Sequence, residues 1–334
     1  MRDRKPKNTA ASIRHRLQNL SRKSGEPFQI LLTRYAMERL LFRLTHSPHK
    51  DKFILKGAIL FTLWTGHMHR PTRDLDLLGF GKPDPEALRA IFLSLASIAD
   101  ENDGLMFLPD TLAVNPIREE QEYGGQRVTL IAKLGNSRIN LQIDVGFGDA
   151  VTPAPQLVEL PTLLAMPAPK LRAYPKETVV AEKFQAMVML GMANSRMKDF
   201  FDLWVLSRSF AFSGSPLANA LRATFRRRKT ALPADVPVAL TDTFALDAHK
   251  QVQWNAFVSR SDLTAKATPL PEIVAVLREF LLPPTEALID KKKFAARWQP
   301  GGPWPKPRAT WPTAYMSSAS ARNGPRKHWH TMDW

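Results

Sequence analysis

Asp74-Leu75-Asp76-Leu77 and, further along, Ile139-Asn140-Leu141-Gln142-Ile143-Asp144-Val145 decide how this chain folds. In a strand, side chains two apart share a face. The first stretch therefore sends Leu75 and Leu77 to one side and Asp74 and Asp76 to the other. The second sends Ile139, Leu141, Ile143 and Val145 one way, and Asn140, Gln142 and Asp144 the other. Both read as amphipathic strands, and if they lie side by side three carboxylates converge. Carboxylates that close repel each other unless a cation or a proton neutralises them. Hard oxygen donors on one face suit Mg²⁺, which takes few carboxylates and completes its shell with water and phosphate. Three are the minimum for two ions: a pair that grips both, and a third that grips one and orients an attacking hydroxyl. The plainer alternatives are a surface turn or an ion pair with Arg70 or Arg73 for the first two, and a solvent-facing Asp144.

Outward from these strands, Phe53-Ile54-Leu55 reads as a strand leading into Lys56-Gly57-Ala58 and then an apolar helical run, Ile59 to Trp64. Small residues at such a turn let backbone N–H groups approach phosphate oxygens, and the following helix adds its dipole. Pro85 to Ala99 reads as a helix, and 127–134 and 138–146 as strands joined through Gly135-Asn136-Ser137. Helices are expected at 9–23, capped by Thr9 or Ser12, and at 28–45, 176–192, 196–209 and 272–281. The fold class is α/β (α+β), a mixed sheet with helices on one side followed by a helical lobe. Basic N-terminal helices occupy 1–50, the sheet core 51–168 and the helical lobe 169–288. A Pro/Trp-rich basic tail, 289–334, is expected to be extended or disordered.

Among 334 residues, 44% are hydrophobic and 23% charged, as in ordinary globular proteins. No apolar run is long enough for a membrane span, and none follows the basic N-terminus to make a secretory signal. The absence of cysteine excludes disulfides, thiolate metal sites and a cysteine nucleophile, and fits a cytoplasmic protein. The net charge of +16 sits at the ends: residues 1–50 carry 12 Lys/Arg against 3 acids, and 290–334 carry 9 against 2. Basic flanks suit a polyanionic partner such as RNA, since neutralised phosphates release counterions. Arg14, Arg16, Arg22 and Lys23 of the first helix are expected to help hold it.

Lys183 has Val179, Val180, Ala186 and Met187 three and four positions away, so it projects from the apolar stripe of its helix. An ammonium there needs a partner. A nucleotide phosphate, an ion pair with Asp199 or Asp202 on the next helix, or snorkelling to solvent would each serve. His67-Met68-His69 could ligate a transition metal but has no obvious third ligand, and the aromatic tail beyond Trp298 could stack on bases or pack back through Trp304.

The order strand, small-residue turn, helix, paired-Asp strand, lone-Asp strand resembles the DNA polymerase β type nucleotidyltransferase superfamily. More closely, Phe53-Ile-Leu-Lys-Gly-Ala58 with Arg70-Pro-Thr-Arg-Asp-Leu-Asp-Leu77, and Ala181-Glu-Lys183 with Arg196-Met-Lys-Asp-Phe-Phe-Asp-Leu203, are similar to the AbiEii/AbiGii toxin family of nucleotidyltransferases. The resemblance runs from about residue 25 to the Pro300–Trp304 segment. It implies a nucleotidyltransferase-like core that transfers a nucleoside monophosphate from a nucleoside triphosphate to a hydroxyl. Asp74, Asp76 and Asp144 would hold two Mg²⁺ ions. Lys56, Gly57, Ala58 and Arg73 would bind the nucleotide, and Lys183, Asp199 and Asp202 would join the active site. It also implies a toxin of a bacterial toxin–antitoxin or phage-defence system, with tRNA as acceptor and a cognate antitoxin as partner. One departure is clear: the family usually has two glycines after the lysine, and here the second is Ala58. A small-molecule acceptor, as for antibiotic-modifying enzymes, and an inactive nucleic-acid- or partner-binding member are the alternatives.

Overall fold

The computed structural model describes residues 8–117, 124–261 and 268–305. Residues 1–7, and residues 306–334 with most of the expected tail, lie outside these. A compact unit ends at Trp304.

The chain opens with α1 (Thr9–Ser24) and α2 (Phe28–Thr45). Asn8, rather than Thr9 or Ser12, caps α1: its side chain accepts from the Ala11 amide at 3.0 Å. Ile13 and Leu17 are buried, while Arg14, Arg16, Arg22 and Lys23 are exposed. α2 is almost wholly buried, and its Arg39 and Arg43 run inward to Asp103, with Arg43 Nη1 at 2.5 Å from Oδ2. The Tyr35 hydroxyl donates to the Asp103 carbonyl at 2.8 Å, so the loop before β3 is tied to this helix.

The core then runs β1 (Phe53–Lys56), α3 (Leu60–Thr65), β2 (Asp74–Gly79), α4 (Pro85–Ala96), β3 (Leu105–Ile117), β4 (Gly125–Leu134), β5 (Ser137–Phe147), β6 (Gln156–Glu159) and β7 (Lys170–Ala173). The seven strands form one sheet in the order β3-β4-β5-β2-β1-β7-β6. β2 runs parallel to β5, and β1 to β7; the other pairs are antiparallel, so the sheet is mixed as expected. Leu75, Leu77, Ile143 and Val145 are buried in a core cluster that also takes in Tyr35, Leu40 and Leu44 of α2. The opposite, polar face of β2 and β5 is left for the site.

β3 is a long strand that the sequence reading passed over. Pro109, Asp110 and Pro116 interrupt its alternation, and its pairing with β4 is irregular between Leu108 and Ala113. It tolerates the prolines because it is the sheet's edge.

The helical half comprises α5 (Lys176–Leu190), α6 (Met197–Ser209), the short β8 (Phe212–Ser213), α7 (Gly214–Arg227), α8 (Asp242–Ala245), α9 (Ala248–Ser261) and α10 (Leu270–Ile289), closed by β9 (Arg297–Trp298). α10 outruns the expected 272–281 because Pro283 and Pro284 lie inside it. Pro284 and Thr285 are buried, and the Thr285 hydroxyl donates to the Leu281 carbonyl at 2.7 Å, so packing and a side-chain bond carry the helix across the break. The start of the expected tail is packed: Trp298 is fully buried and donates to the Ser207 carbonyl at 2.7 Å, and Trp304 donates to that of Phe280 at 3.0 Å. Among the described residues, no helix is long and apolar enough to cross a membrane.

Candidate active site

The sheet register places the acids side by side. Asp76 on β2 faces Lys56 of β1 on one flank and Asp144 of β5 on the other, and Asp74 sits one pleat along, opposite Gln142. Asp76 and Asp144 line a cavity that also receives Lys56, Gly57, Ala58 and Arg70, and Lys183, Arg196, Lys198 and Asp199 from the helical half. Asp74 is half-buried on the same strand face. Arg73 is exposed and lies away from this lining.

Asp74 and Asp76 take no hydrogen bond or ion pair on their carboxylates among the described residues. Both are held above the usual carboxylate range: Asp74 by burial and then by the Asp144 charge, Asp76 by burial, which outweighs the pull of Lys56 and Lys198. Two partly buried carboxylates on one strand face, neither in a direct ion pair, are a donor set that suits a divalent cation.

Asp144 differs. Arg127, its cross-strand neighbour on β4, holds it through two bonds of 2.8 Å. Its backbone stands where the sequence placed it, but its carboxylate is spent on Arg127, and no group of three His, Cys, Asp or Glu among the described residues is arranged to hold a metal ion. The expected convergence is thus a pair with a third acid alongside, held by arginine.

The turn after β1 is shaped by Asp76. Gly57 has φ +80°, and a Cβ there would overlap the Asp76 carboxylate. Ala58 is buried and is not among the positive-φ residues, so the family's second glycine is not required by the backbone at this position. α3 has only six residues, which leaves little helix dipole at the turn.

Lys183 finds its partners within the protein. Its ammonium lies 2.5 Å from Asp199 and 2.9 Å from Asp202. Arg70 grips Asp202 with two bonds of 2.7 and 2.9 Å, and Arg196 reaches Asp199 at 2.7 Å. Burial would lower the Lys183 pKa, but the two carboxylates overcome it and keep the ammonium charged. Burial likewise opposes ionisation of Asp199 and Asp202, and the neighbouring cations win, holding both below the usual range. This network sets three cations, Arg70, Lys183 and Arg196, against two anions, and so leaves positive charge at the cavity wall.

A second cluster was not foreseen. Lys56 pairs with Asp149 at 2.9 Å and Glu182 at 3.2 Å, and Arg228 reaches the same two acids at 2.9 and 3.5 Å. The four charges balance, and they join β1 and the turn after β5 to α5 and the end of α7. Lys56, expected at the triphosphate, is therefore already neutralised. Arg228 stands in a basic run, Arg226 to Lys229, in which nothing local marks it out. His67 and His69 pack against each other and His69 against Phe61, ring centres 4.9 and 5.1 Å apart, as an aromatic cluster.

Comparison with known proteins gives a family. A family model described as "Nucleotidyl transferase AbiEii toxin, Type IV TA system" matches residues 39–279. The structure of JHP933 from Helicobacter pylori is similar at 16% identity and a TM-score of 0.46, over 79% of this chain and 94% of that one. A candidate nucleotidyltransferase from H. pylori is similar at 15% identity and a TM-score of 0.47, over 80% and 99%. No curated protein matches.

Proposed function

The chain belongs to the AbiEii family of nucleotidyltransferase toxins, and from that premise we propose that it transfers a nucleoside monophosphate from a nucleoside triphosphate to a hydroxyl of RNA, with tRNA as acceptor, in a Mg²⁺-dependent reaction. The observation that carries this reading is the imbalance across one cavity. Asp76 on the cavity wall, and Asp74 beside it on the same strand face, make no direct ion pair, while the network around Lys183 has one cation in excess. A metal-bound triphosphate, anionic overall yet carrying a divalent cation, complements both sides at once.

Asp74 and Asp76 would hold the Mg²⁺, which when bound supplies charge neutralisation of the phosphates and activation of the acceptor hydroxyl. Lys183, kept charged by its acids, with Arg70 and Arg196 behind it and exposed Lys198 nearby, would orient the phosphate chain. Gly57 lets the turn after β1 approach Asp76, and Ala58 keeps it small. Asp144, once released by Arg127, would bind one of the ions and, beside Asp76, take the acceptor proton. The acceptor oxygen then bonds to the α-phosphorus and pyrophosphate leaves, with positioning and electrostatics supplying the rate enhancement. The type IV toxin–antitoxin description of the family supports a toxin partnered by an antitoxin, acting in growth control or phage defence.

The test is incubation with Mg²⁺, each α-labelled nucleoside triphosphate and total tRNA. Label should enter RNA with the natural protein and not with Asp74→Ala or Asp76→Ala. Equal labelling by those variants, or label entering a small acceptor and never RNA, would overturn the reading.

A further inference from the structure

α7 ends in a basic cluster that the site above does not use. Arg222, Arg226, Arg227 and Lys229 are exposed and line an open groove of about 710 Å³ together with Thr152 and Asn219. No acid lines it. The helix buries Leu217, Leu221 and Phe225 on its other face, so its orientation is fixed by packing and the cations are presented outward. Arg222 is steadied by Asn219 at 2.7 Å, and Arg226 makes no side-chain hydrogen bond or ion pair among the described residues. Arg222 and Arg226, one helical turn apart on the same exposed face, present like charges that a polyanion complements.

The groove and the catalytic cavity are lined from the same end of α7. Consecutive residues divide between them: Arg227 lines the groove and Arg228 the cavity. Arg227 also donates to the Gly148 carbonyl, on the turn four residues after Asp144. Four residues of extended chain span at most about 13 Å. The start of α1 lies elsewhere: Ala10 is against Gly104 and Gly135, at the β4–β5 turn. That turn is seven strand residues from Asp144, about 23 Å.

We infer that the groove on α7 is the docking track for the phosphate backbone of the RNA acceptor, delivering its reactive hydroxyl past Gly148 to Asp144. The inference rests on the RNA-acceptor reading of the same site, and its test is kept separate from catalysis. Binding of labelled tRNA is measured without nucleotide or Mg²⁺ across a salt series, for the natural protein, for Arg222→Glu/Arg226→Glu, and for Arg22→Glu/Lys23→Glu on α1. The milder Arg222→Gln/Arg226→Gln pair guards against misfolding, with melting curves compared throughout.

The expected result is at least a tenfold loss of affinity at moderate salt for the α7 charge-reversal pair and a smaller loss for the Gln pair. The salt slope should fall by about 1.4 for two lost phosphate contacts, and the α1 pair should stay near the natural protein. Unchanged binding in the α7 variants, a larger loss in the α1 variant, or no tRNA binding by the natural protein at low salt would overturn it. So would α7 variants that keep tRNA but lose an acidic polypeptide such as poly-glutamate, which would make the groove a protein-docking face. Whether the natural protein labels tRNA in the transfer assay judges the catalytic reading independently of these outcomes.

Discussion

The Asp76 carboxylate lies directly against Gly57: a Cβ built at position 57 would overlap Oδ2, Cγ and Cβ of Asp76, the last at 2.7 Å. The small-residue turn and the metal-ligand candidate are thus one packed unit, and each constrains the other.

Gly57→Ala should therefore be damaging, through the clash and through its φ of +80°. We expect a folded protein that loses at least about 1–3 kcal/mol of stability and most of its nucleotidyl transfer. Ala58→Gly should change transfer little, because Ala58 is not at positive φ. Unfolding curves and transfer assays on the two variants check this. Full activity in Gly57→Ala would contradict the turn geometry.

Arg127 and Asp144 make a prediction with the opposite sign. A metal that draws on Asp144 must displace the two 2.8 Å bonds from Arg127. Arg127→Gln should lower the Mg²⁺ concentration needed for half-maximal transfer. A higher requirement would show that Arg127 serves the reaction and does not compete with it.

Lys183 bridges two carboxylates whose side chains are 1% exposed. Removing one partner of a buried pair typically costs about 3–5 kcal/mol; Arg70 and Arg196 remain to share the acids, so roughly 3 kcal/mol is expected for Lys183→Ala, with loss of transfer. Denaturant unfolding measures it. An unchanged midpoint would mean the ammonium contributes nothing to the fold.

How far these features could be read from the sequence depends on their range. The alternation in β2 and β5 shows locally which side each Asp takes, and the Asp199/Asp202 spacing shows a shared helix face. The Arg127–Asp144 bond was also within reach: a turn at Gly135-Asn136 pairs Leu134 with Ser137, and counting back pairs 127 with 144. The cluster of Lys56, Asp149, Glu182 and Arg228 was not, because its members are 93 and 79 residues apart at the Asp149 contacts and no local period connects them. β3 and the end of α10 were obscured by prolines that an edge position and buried packing make tolerable.

Glu38 gives a pH test remote from the site. Burial pushes its carboxyl from the usual 4.5 up to about 7, although the Leu163 amide donates to it at 3.0 Å and Arg34 lies 3.4 Å away. The folded state holds this proton more tightly than the unfolded chain does, so stability falls as pH rises from about 4.5 through about 7 and then levels off. A rise of that size corresponds to roughly 3 kcal/mol. Glu38→Gln should lack this slope and be more stable than the natural protein above pH 7. Parallel stability curves for the two proteins would refute it.

The central claim, that Asp74 and Asp76 hold the catalytic cation, is tested most directly by crystals grown with Mn²⁺ and a non-hydrolysable nucleoside triphosphate. Anomalous scattering should place Mn²⁺ against both carboxylates with the triphosphate running toward Lys183, and Asp76→Asn should abolish the peak. Manganese bound away from this pair, or a peak that survives Asp76→Asn undiminished, would contradict the account.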